Sequence, residues 1–348
     1  MPPLLEQIGM YGNYIDDFYC SIHGIGIRFT VNSTAVAEII REDMFSFLKD
    51  LEISYDIHVN ISMVSHIEAL PKLIPPTATQ VGTLKSRPNR VISKYVDDCC
   101  LYTYFSEGAF IATNCETGMI QGSLVSNDWL RLDFLKEIYC DIFRIMASKQ
   151  FYLIHAAAVC KSGKGLLFIA NAGGGKTTTA GGMVSQYGFQ LLADDWTILT
   201  KQNGNIQLLG FPNSVGLRIE IIEFFRQSLP VTQYCKQNLP PESKIRIQAQ
   251  QLYPDAIAHF ATPAAVIFLS HCNAECSINS IAKLDAIVRL SQATVRFLNP
   301  LVQKEYFLLI TQLIDTVPAF TLNLGTNVKT TWATLATFIR THNIVNME

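Results

Sequence analysis

The sequence carries little net charge, no run of basic residues and no long apolar segment, and each absence removes a class of function. The formal net charge is −2, so a broad cationic face for nucleic acid is not expected. No stretch approaches the ~20 apolar residues that a membrane-spanning helix needs. The first residues lack the charged and then apolar build of a signal peptide. We therefore predict a cytoplasmic protein that binds neither nucleic acid nor a membrane.

Cysteines are present, but a metal-site pattern is missing. The nine cysteines are scattered singly, apart from Cys99-Cys100 and the pair Cys272 and Cys276. Neither arrangement has the second pair or the histidine partners of a zinc site. An odd count without a secretory signal indicates reduced thiols in a cytosol. Most of these cysteines are expected to be ordinary core residues.

What remains is a chain with enough apolar residues for a filled core. The 348 residues, 49% of them hydrophobic, predict about two domains. A helix and several alternating strands predict a small α+β domain over residues 1–126. Residues 127–348 are predicted to form a second, α/β domain. The task of the first domain, either to present a substrate or only to pack on the second, stays open.

One stretch of the second domain points to phosphate binding. Four apolar residues, Leu166 to Ile169, predict a buried strand, and a glycine-rich loop and a helix start follow. Glycines let backbone N–H groups turn toward a phosphate, at the positive end of the next helix. Lys176 can then reach the outer phosphates, and the hydroxyl of Thr177 can join a Mg²⁺ shell. The residues predicted to hold the nucleotide are Asn171, Ala172, Gly173, Gly174, Gly175, Lys176, Thr177 and Thr178.

This loop departs from the Walker A pattern G-x-x-x-x-G-K-[ST] at its first position, where Ala170 stands. The alternative interpretation is a glycine-rich structural turn. Such a turn would not need Lys176 and Thr177 after its glycines, so we favour nucleotide binding.

A carboxylate pair follows the next predicted strand. Asp194 and Asp195 stand where ligands bind in sheets of this kind. One carboxylate can hold Mg²⁺ with Thr177, and the other can take a proton from an attacking hydroxyl. Neighbouring residues on a strand point to opposite faces, so both roles require the chain to turn there. The alternative is that one aspartate only ends a strand in solvent.

His155 is a third candidate, in a predicted strand over residues 151–159. A lone histidine among apolar residues is more often a core residue than a catalytic one, so its pattern alone is weak.

Taken together, His155, the loop from Ala170 to Thr178 and the stretch 191–195 resemble the C-terminal kinase domain of the HPr kinase/phosphorylase family. The resemblance implies a P-loop, sheet-based domain distantly similar to phosphoenolpyruvate carboxykinases. It also implies phosphorylation of a serine hydroxyl with ATP and Mg²⁺. By this similarity Asp194 would be the base, Asp195 a magnesium ligand, and His155 a group near the transferring phosphate.

Some residues depart from that family. His155 is followed by Ala156 rather than glycine. The family's Glu-x-Arg-Gly motif is missing, and residues 217–220 are the most similar stretch. The chain is more similar to HPr-kinase-related serine kinases with a divergent N-terminal domain, including those that modify ribosomal peptides such as lasso precursors. The acceptor is then a peptide, a small protein or a small-molecule hydroxyl. Arg218 is expected to act on the transferring phosphate, with Lys244 and Arg246 beside it, unless these are ordinary surface charges.

Other functions stay open at this point. The chain could be a nucleotide-binding regulator without catalysis, a kinase of a small-molecule alcohol, or a carboxykinase-like metabolic enzyme. A GTPase-like switch is disfavoured, because the sequence contains neither the guanine-binding motif Asn-Lys-x-Asp nor the switch motif Asp-x-x-Gly. The resemblance also allows a homo-oligomer, although no heptad pattern supports one.

Overall fold

The structure is a computed structural model that describes residues 15–70, 74–87, 90–125, 133–222, 244–271 and 275–347. The chain divides into two compact units, which are Met1–Lys149 with Arg296–Gln303, and Gln150–Val295 with Lys304–Glu348. Both combine helices with large sheets, so the predicted α/β class is confirmed at that level. Within the described residues no helix is both long and apolar enough to cross a bilayer.

The first unit is built on a nine-stranded sheet in the order β3-β1-β2-β4-β9-β8-β7-β6-β5. Its elements are β1 (Asp16–Ile22), β2 (Ile25–Val31), α1 (Thr34–Asp43), a 3₁₀ turn (Phe45–Phe47), β3 (Leu48–Lys49), β4 (Ile57–Met63), a second 3₁₀ turn (Ile67–Ala69), β5 (Thr79–Arg87), β6 (Arg90–Asp97), β7 (Cys100–Phe105), β8 (Ala109–Asn114), β9 (Met119–Leu124) and α2 (Leu135–Ala147).

Helix α2 packs on this first sheet, although the sequence placed it in the second domain. Thr113 of β8 donates a 2.6 Å hydrogen bond to Asp141 of α2. A Cβ on Gly122 of β9 would lie 2.7 Å from the ring of Phe134, just before the helix. These contacts explain why the first unit runs to residue 149 instead of the expected 126.

The second unit contains most of the remaining elements. They are β10 (Tyr152–Ile154), β11 (Ala156–Lys161), β12 (Lys164–Ile169), α3 (Lys176–Tyr187), β13 (Gln190–Ala193), β14 (Thr197–Gln202), β15 (Asn205–Leu209), β16 (Ser214–Arg218), α4 (Ile219–Ile222), β17 (Lys244–Gln248), α5 (Ala249–Leu252), β18 (Phe260–His271), β19 (Ser277–Ser280), α6 (Lys283–Gln292), α7 (Pro300–Thr316), β20 (Ala319–Leu324) and α8 (Val328–Thr341). Helix α7 includes the last residues of the segment Arg296–Gln303 that belongs to the first unit.

The main sheet of the second unit is mixed, and its strand directions gather several chain ends at one edge. Strands β12, β18 and β20 are parallel neighbours, whereas β11 runs antiparallel to both β12 and β13. The carboxyl ends of β12, β13, β18 and β20 therefore meet the beginning of β11 at the same edge. The glycine-rich loop follows β12, the aspartate pair follows β13, and His155 precedes β11. The topology therefore brings them together.

The predicted strand over residues 151–159 is wrong in one respect, because it is two strands that part at His155. Strand β10 pairs with β14, whereas β11 pairs with β12 and β13. At the junction the N–H of His155 donates a 2.7 Å hydrogen bond to the carbonyl of Ala293. The break turns the imidazole out of the core and leaves its side chain 42% exposed.

Candidate active site

The glycine-rich loop joins β12 to α3 as predicted, and two of its glycines have a backbone that other residues rarely adopt. Gly173 has φ +77° and Gly175 has φ +88°, in the left-handed region that glycine tolerates. The N–H of Gly174 donates a 2.9 Å hydrogen bond to Asn171 O, which closes the turn. Gly175 stands at the N-cap of α3 and has no side chain with which to cap it. The first N–H groups of the helix can therefore serve an anion.

The unusual Ala170 is accommodated by a neighbouring glycine. A Cβ on Gly174 would lie 2.6 Å from the methyl carbon of Ala170. The alanine methyl therefore occupies space that the missing side chain of Gly174 leaves. The loop is therefore closed although alanine stands at position 170, where the Walker A pattern has glycine.

Lys176 is held at the centre of the site. Its side chain is only 5% exposed, and its Nζ donates a 2.9 Å hydrogen bond to the carbonyl of Ala170. The same Nζ lies 3.2 Å from Nε2 of His155 and 3.6 Å from Oδ1 of Asp195. The structure therefore brings together three residues that the sequence singled out separately.

His155 stands between a cation and an anion. Its Nε2 lies 3.2 Å from Lys176 Nζ and also 3.2 Å from Asp195 Oδ1. The lysine ammonium can only donate and the ionised carboxylate can only accept. Nε2 without a proton accepts from Lys176, and Nε2 with a proton donates to Asp195. The presence or absence of a proton on Nε2, which depends on the tautomer, thus selects its partner.

The two aspartates differ in exposure, because the chain bends at the end of β13. Asp194 is buried at 6% exposure, and its Oδ2 accepts a 3.4 Å contact from the N–H of Gly216. Asp195 has a side chain that is 57% exposed. The bend satisfies the condition under which neighbouring carboxylates can serve one site. Burial raises the pKa of the Tyr253 phenol above its usual range, and the negative charge of Asp194 adds to this rise.

Among the predicted cations, Arg218 reaches the loop. Its Nη2 lies 3.5 Å from the place that a Cβ on Gly173 would take. Arg246 instead donates a 3.3 Å hydrogen bond from Nη1 to the hydroxyl of Ser214 on β16. Lys244 pairs in register with Arg218 across β16 and β17. The structure therefore places Arg218, and not Arg246, beside the phosphate loop.

His271 is a residue that sequence reasoning missed. It ends β18, the parallel neighbour of β12, and its Nε2 lies 3.3 Å from the carbonyl oxygen of Gly173. The available signal was its position just after the apolar run of residues 264–269, which is typical of a buried strand. A polar segment after a strand is common, so that signal alone did not distinguish it.

A contact from the last helix fixes the helix after the loop. Trp332 of α8 donates a 3.1 Å hydrogen bond from Nε1 to the carbonyl of Thr178. A Cβ on Gly182 would lie 2.0 Å from the Trp332 ring. The two glycines at 181 and 182 are poor helix formers. At position 182, however, the close approach of the indole leaves room only for glycine.

The side-chain oxygens of this site fit Mg²⁺ as nucleotide-binding proteins commonly hold it. Mg²⁺ prefers oxygen ligands and usually takes one or two protein groups beside phosphate oxygens and water. The hydroxyl of Thr177 and the paired carboxylates offer such oxygens. The described residues contain no cluster of three or more histidine, cysteine or acidic side chains that could hold a metal by themselves. A metal here would therefore be shared with a nucleotide.

Comparisons with known proteins add a structural likeness. No family model matches the sequence, and the search of curated proteins finds no match. The structure is similar to the HPr(Ser) kinase/phosphatase from Coxiella burnetii, with 13% sequence identity, a TM-score of 0.32, and coverage of 55% of this chain and 90% of that chain. A TM-score of this size does not establish a shared fold. The functional assignments therefore rest on the residues of the site.

Proposed function

We propose that this chain is a phosphotransferase that uses ATP and Mg²⁺ to phosphorylate a serine or similar hydroxyl of a peptide, a small protein or a small molecule. The observation that supports it most is the position of Lys176 Nζ. It lies at the end of a glycine-rich loop, within 3.6 Å of Asp195 and 3.2 Å of His155. A loop that only turned the chain would not require a buried ammonium beside an exposed carboxylate.

In this proposal the loop and the start of α3 hold the phosphates through backbone N–H groups. The residues involved would be those predicted from the sequence, Asn171 to Thr178. Lys176 would exchange its hydrogen bond to the Ala170 carbonyl for a phosphate oxygen. When bound, Mg²⁺ would neutralise charge on the phosphate oxygens, with Thr177 and one aspartate as its protein ligands.

The transfer step balances without any further reactant. The acceptor oxygen bonds to the γ-phosphorus, the bond from that phosphorus to the β,γ-bridging oxygen breaks, and ADP leaves. The hydroxyl proton passes to a carboxylate. Following the resemblance, we assign this proton to Asp194 and the metal contact to Asp195. Asp194 is buried and Asp195 is exposed, and the two residues are tested as a pair.

His155 and Arg218 are proposed to act on the charge of the transferring group. Arg218 lies beside Gly173, and its guanidinium is suited to phosphate oxygens. His155 would contact the transferring phosphate, since it already contacts Lys176. Preorganised donors of this kind commonly contribute 10²–10³-fold each to a rate.

The first experiment is calorimetric titration of ATP–Mg²⁺ and GTP–Mg²⁺ into the full chain. Wild type is expected to bind ATP, and Lys176→Ala is expected to lose most of that binding. Lys164→Ala is the matched control, because this exposed lysine stands at the other end of β12. If neither nucleotide binds to wild type, nucleotide-dependent transfer is excluded.

A second experiment separates binding from transfer. Asp194→Asn and Asp195→Asn are each titrated with ATP–Mg²⁺ and assayed for phosphate incorporation into serine-containing peptides by mass spectrometry. The base variant should bind ATP–Mg²⁺ and lose transfer, whereas the metal variant should lose Mg²⁺-dependent binding. ATP binding without transfer to any peptide, protein or small alcohol would favour a nucleotide-binding regulator.

A further inference from the structure

A cavity lies entirely in the first unit, away from the phosphate loop in sequence. It has a volume of about 280 Å³, near the lower end of small-molecule sites. Arg144, Phe297 and Val302 form its buried floor, and all three are at most 8% exposed. Its exposed rim includes Asp98, Glu116 and Ser148.

The guanidinium on the floor is only partly used by the protein. Arg144 donates from Nε to the carbonyl of Arg296 at 3.1 Å, and from Nη1 to Asp141. The other terminal nitrogen, Nη2, has no hydrogen-bond acceptor among the residues that the structure describes. In the described part of the chain this nitrogen is not one of the fully buried polar atoms without a partner, so it is reached from the cavity. An acceptor oxygen of a ligand can therefore take a charge-assisted hydrogen bond from it.

The charges around the cavity limit what such a ligand can be. Asp141 already balances the charge of Arg144, so the rim acids Asp98 and Glu116 leave an excess of negative charge. A simple anion is therefore repelled at the entrance. A simple amine would meet the rim acids but would leave Arg144 Nη2 without an acceptor.

We propose that this cavity binds a free α-amino acid. Its carboxylate accepts from Nη2 of Arg144 on the floor, and its ammonium group faces Asp98 and Glu116 on the rim. An apolar side chain then packs against Phe297 and Val302. This inference concerns a separate site and does not depend on the proposed phosphotransferase activity.

The test uses the full chain and the twenty standard L-amino acids, screened by thermal shift and then by calorimetry. The tightest binder is compared with the matching amine, which lacks the carboxylate, and with the matching acid, which lacks the amino group. Each is expected to bind roughly 10-fold or more weakly, because each loses one charged hydrogen-bonding group. No binding by any of the twenty amino acids overturns the proposal.

Variants of the rim decide the orientation without disturbing the buried ion pair. The double variant Asp98→Asn, Glu116→Gln should weaken the amino acid roughly 10-fold and leave the matching acid bound at least as well as in wild type. Glu68→Gln, at an exposed acid of the same unit outside the cavity lining, should change nothing. Equal amino-acid affinity in the rim variant and wild type overturns the proposal.

Discussion

Each unit of this chain buries a cation, and the two differ in where the opposite charge lies. In the first unit, Arg144 and its partner Asp141 have side chains that are 7% and 0% exposed. In the second unit, Lys176 is 5% exposed whereas Asp195 is 57% exposed. The first pair is closed inside the protein, and the second is open to solvent on its anionic side. An open pair can exchange its carboxylate for a phosphate oxygen, and a closed pair cannot.

The largest expected effect would break the open pair. Lys176→Ala should lower phosphoryl transfer by roughly 10²–10³-fold, because the donor on the transferring phosphate is lost. Its thermal melt should stay close to that of wild type, since Asp195, the carboxylate that loses its partner, is 57% exposed to water. Rate and melting temperature are measured on the same preparation, with Lys164→Ala as control. Undiminished turnover in Lys176→Ala would falsify the assignment of the loop.

Breaking the closed pair should instead cost stability. Asp141→Ala leaves the buried guanidinium of Arg144 uncompensated and should lower the free energy of unfolding by about 3–5 kcal/mol. Asp195→Ala, at the open pair, should change it by less than about 1 kcal/mol. Urea unfolding of both variants checks the contrast. Equal losses in the two variants would remove the distinction between open and closed pairs.

A smaller effect is expected where the second unit supports its site. Alanine normally stabilises a helix relative to glycine by up to about 1 kcal/mol. Gly182→Ala should nevertheless destabilise by about 1–3 kcal/mol, because its Cβ would overlap the Trp332 ring. Thermal unfolding gives the sign directly. Gly82→Ala is the control, since a Cβ there meets nothing within 4 Å, and a stabilised Gly182→Ala would contradict the packing.

The smallest effect concerns a surface ion pair, where both charges reach solvent. Hydrogen bonds from Arg41 hold the pKa of Asp16 below its usual range. A lowered folded pKa gives stability that is present above the unfolded value of about 3.9 and is lost as pH falls through the folded value. Asp16→Asn should therefore cost less than about 1 kcal/mol at pH 7.

Denaturation of Asp16→Asn and wild type at several pH values tests this directly. The difference between them should vanish in strong acid. The exposed Asp50→Asn serves as the comparison. A difference that persists below the folded pKa would show that the loss does not come from the ion pair.

Local patterns predicted the parts of the site that are continuous in sequence. Strand β12, its glycine loop and the start of the helix after it are as expected, because apolar runs and glycines act over a few residues. The hairpin of β14 and β15 turns at Asn203-Gly204, a short-range signal of the same kind. The roles of Asp194, Asp195 and His155 stay predictions, as do the bound nucleotide, the acceptor and any oligomer.

The parts that sequence reasoning missed depend on distant neighbours. The break at His155 comes from a bond to Ala293, which no local pattern displays. His271 reaches the loop only because β18 lies beside β12. Helix α2 belongs to the first unit because Asp141 meets Thr113, and a helix pattern does not say which sheet covers it. The relation to phosphoenolpyruvate carboxykinases likewise stays a prediction.

The hydrogen bond from Trp332 to Thr178 also joins residues that the ribosome adds at very different times. The two residues are 154 positions apart, and a ribosome adds about 5–20 residues each second. For roughly 8–30 s, the helix after the phosphate loop is therefore on a growing chain that still lacks its indole partner. We expect a ribosome-bound chain arrested before Trp332 to be unable to complete its phosphate site, and that site to become competent only when the last helix has been made.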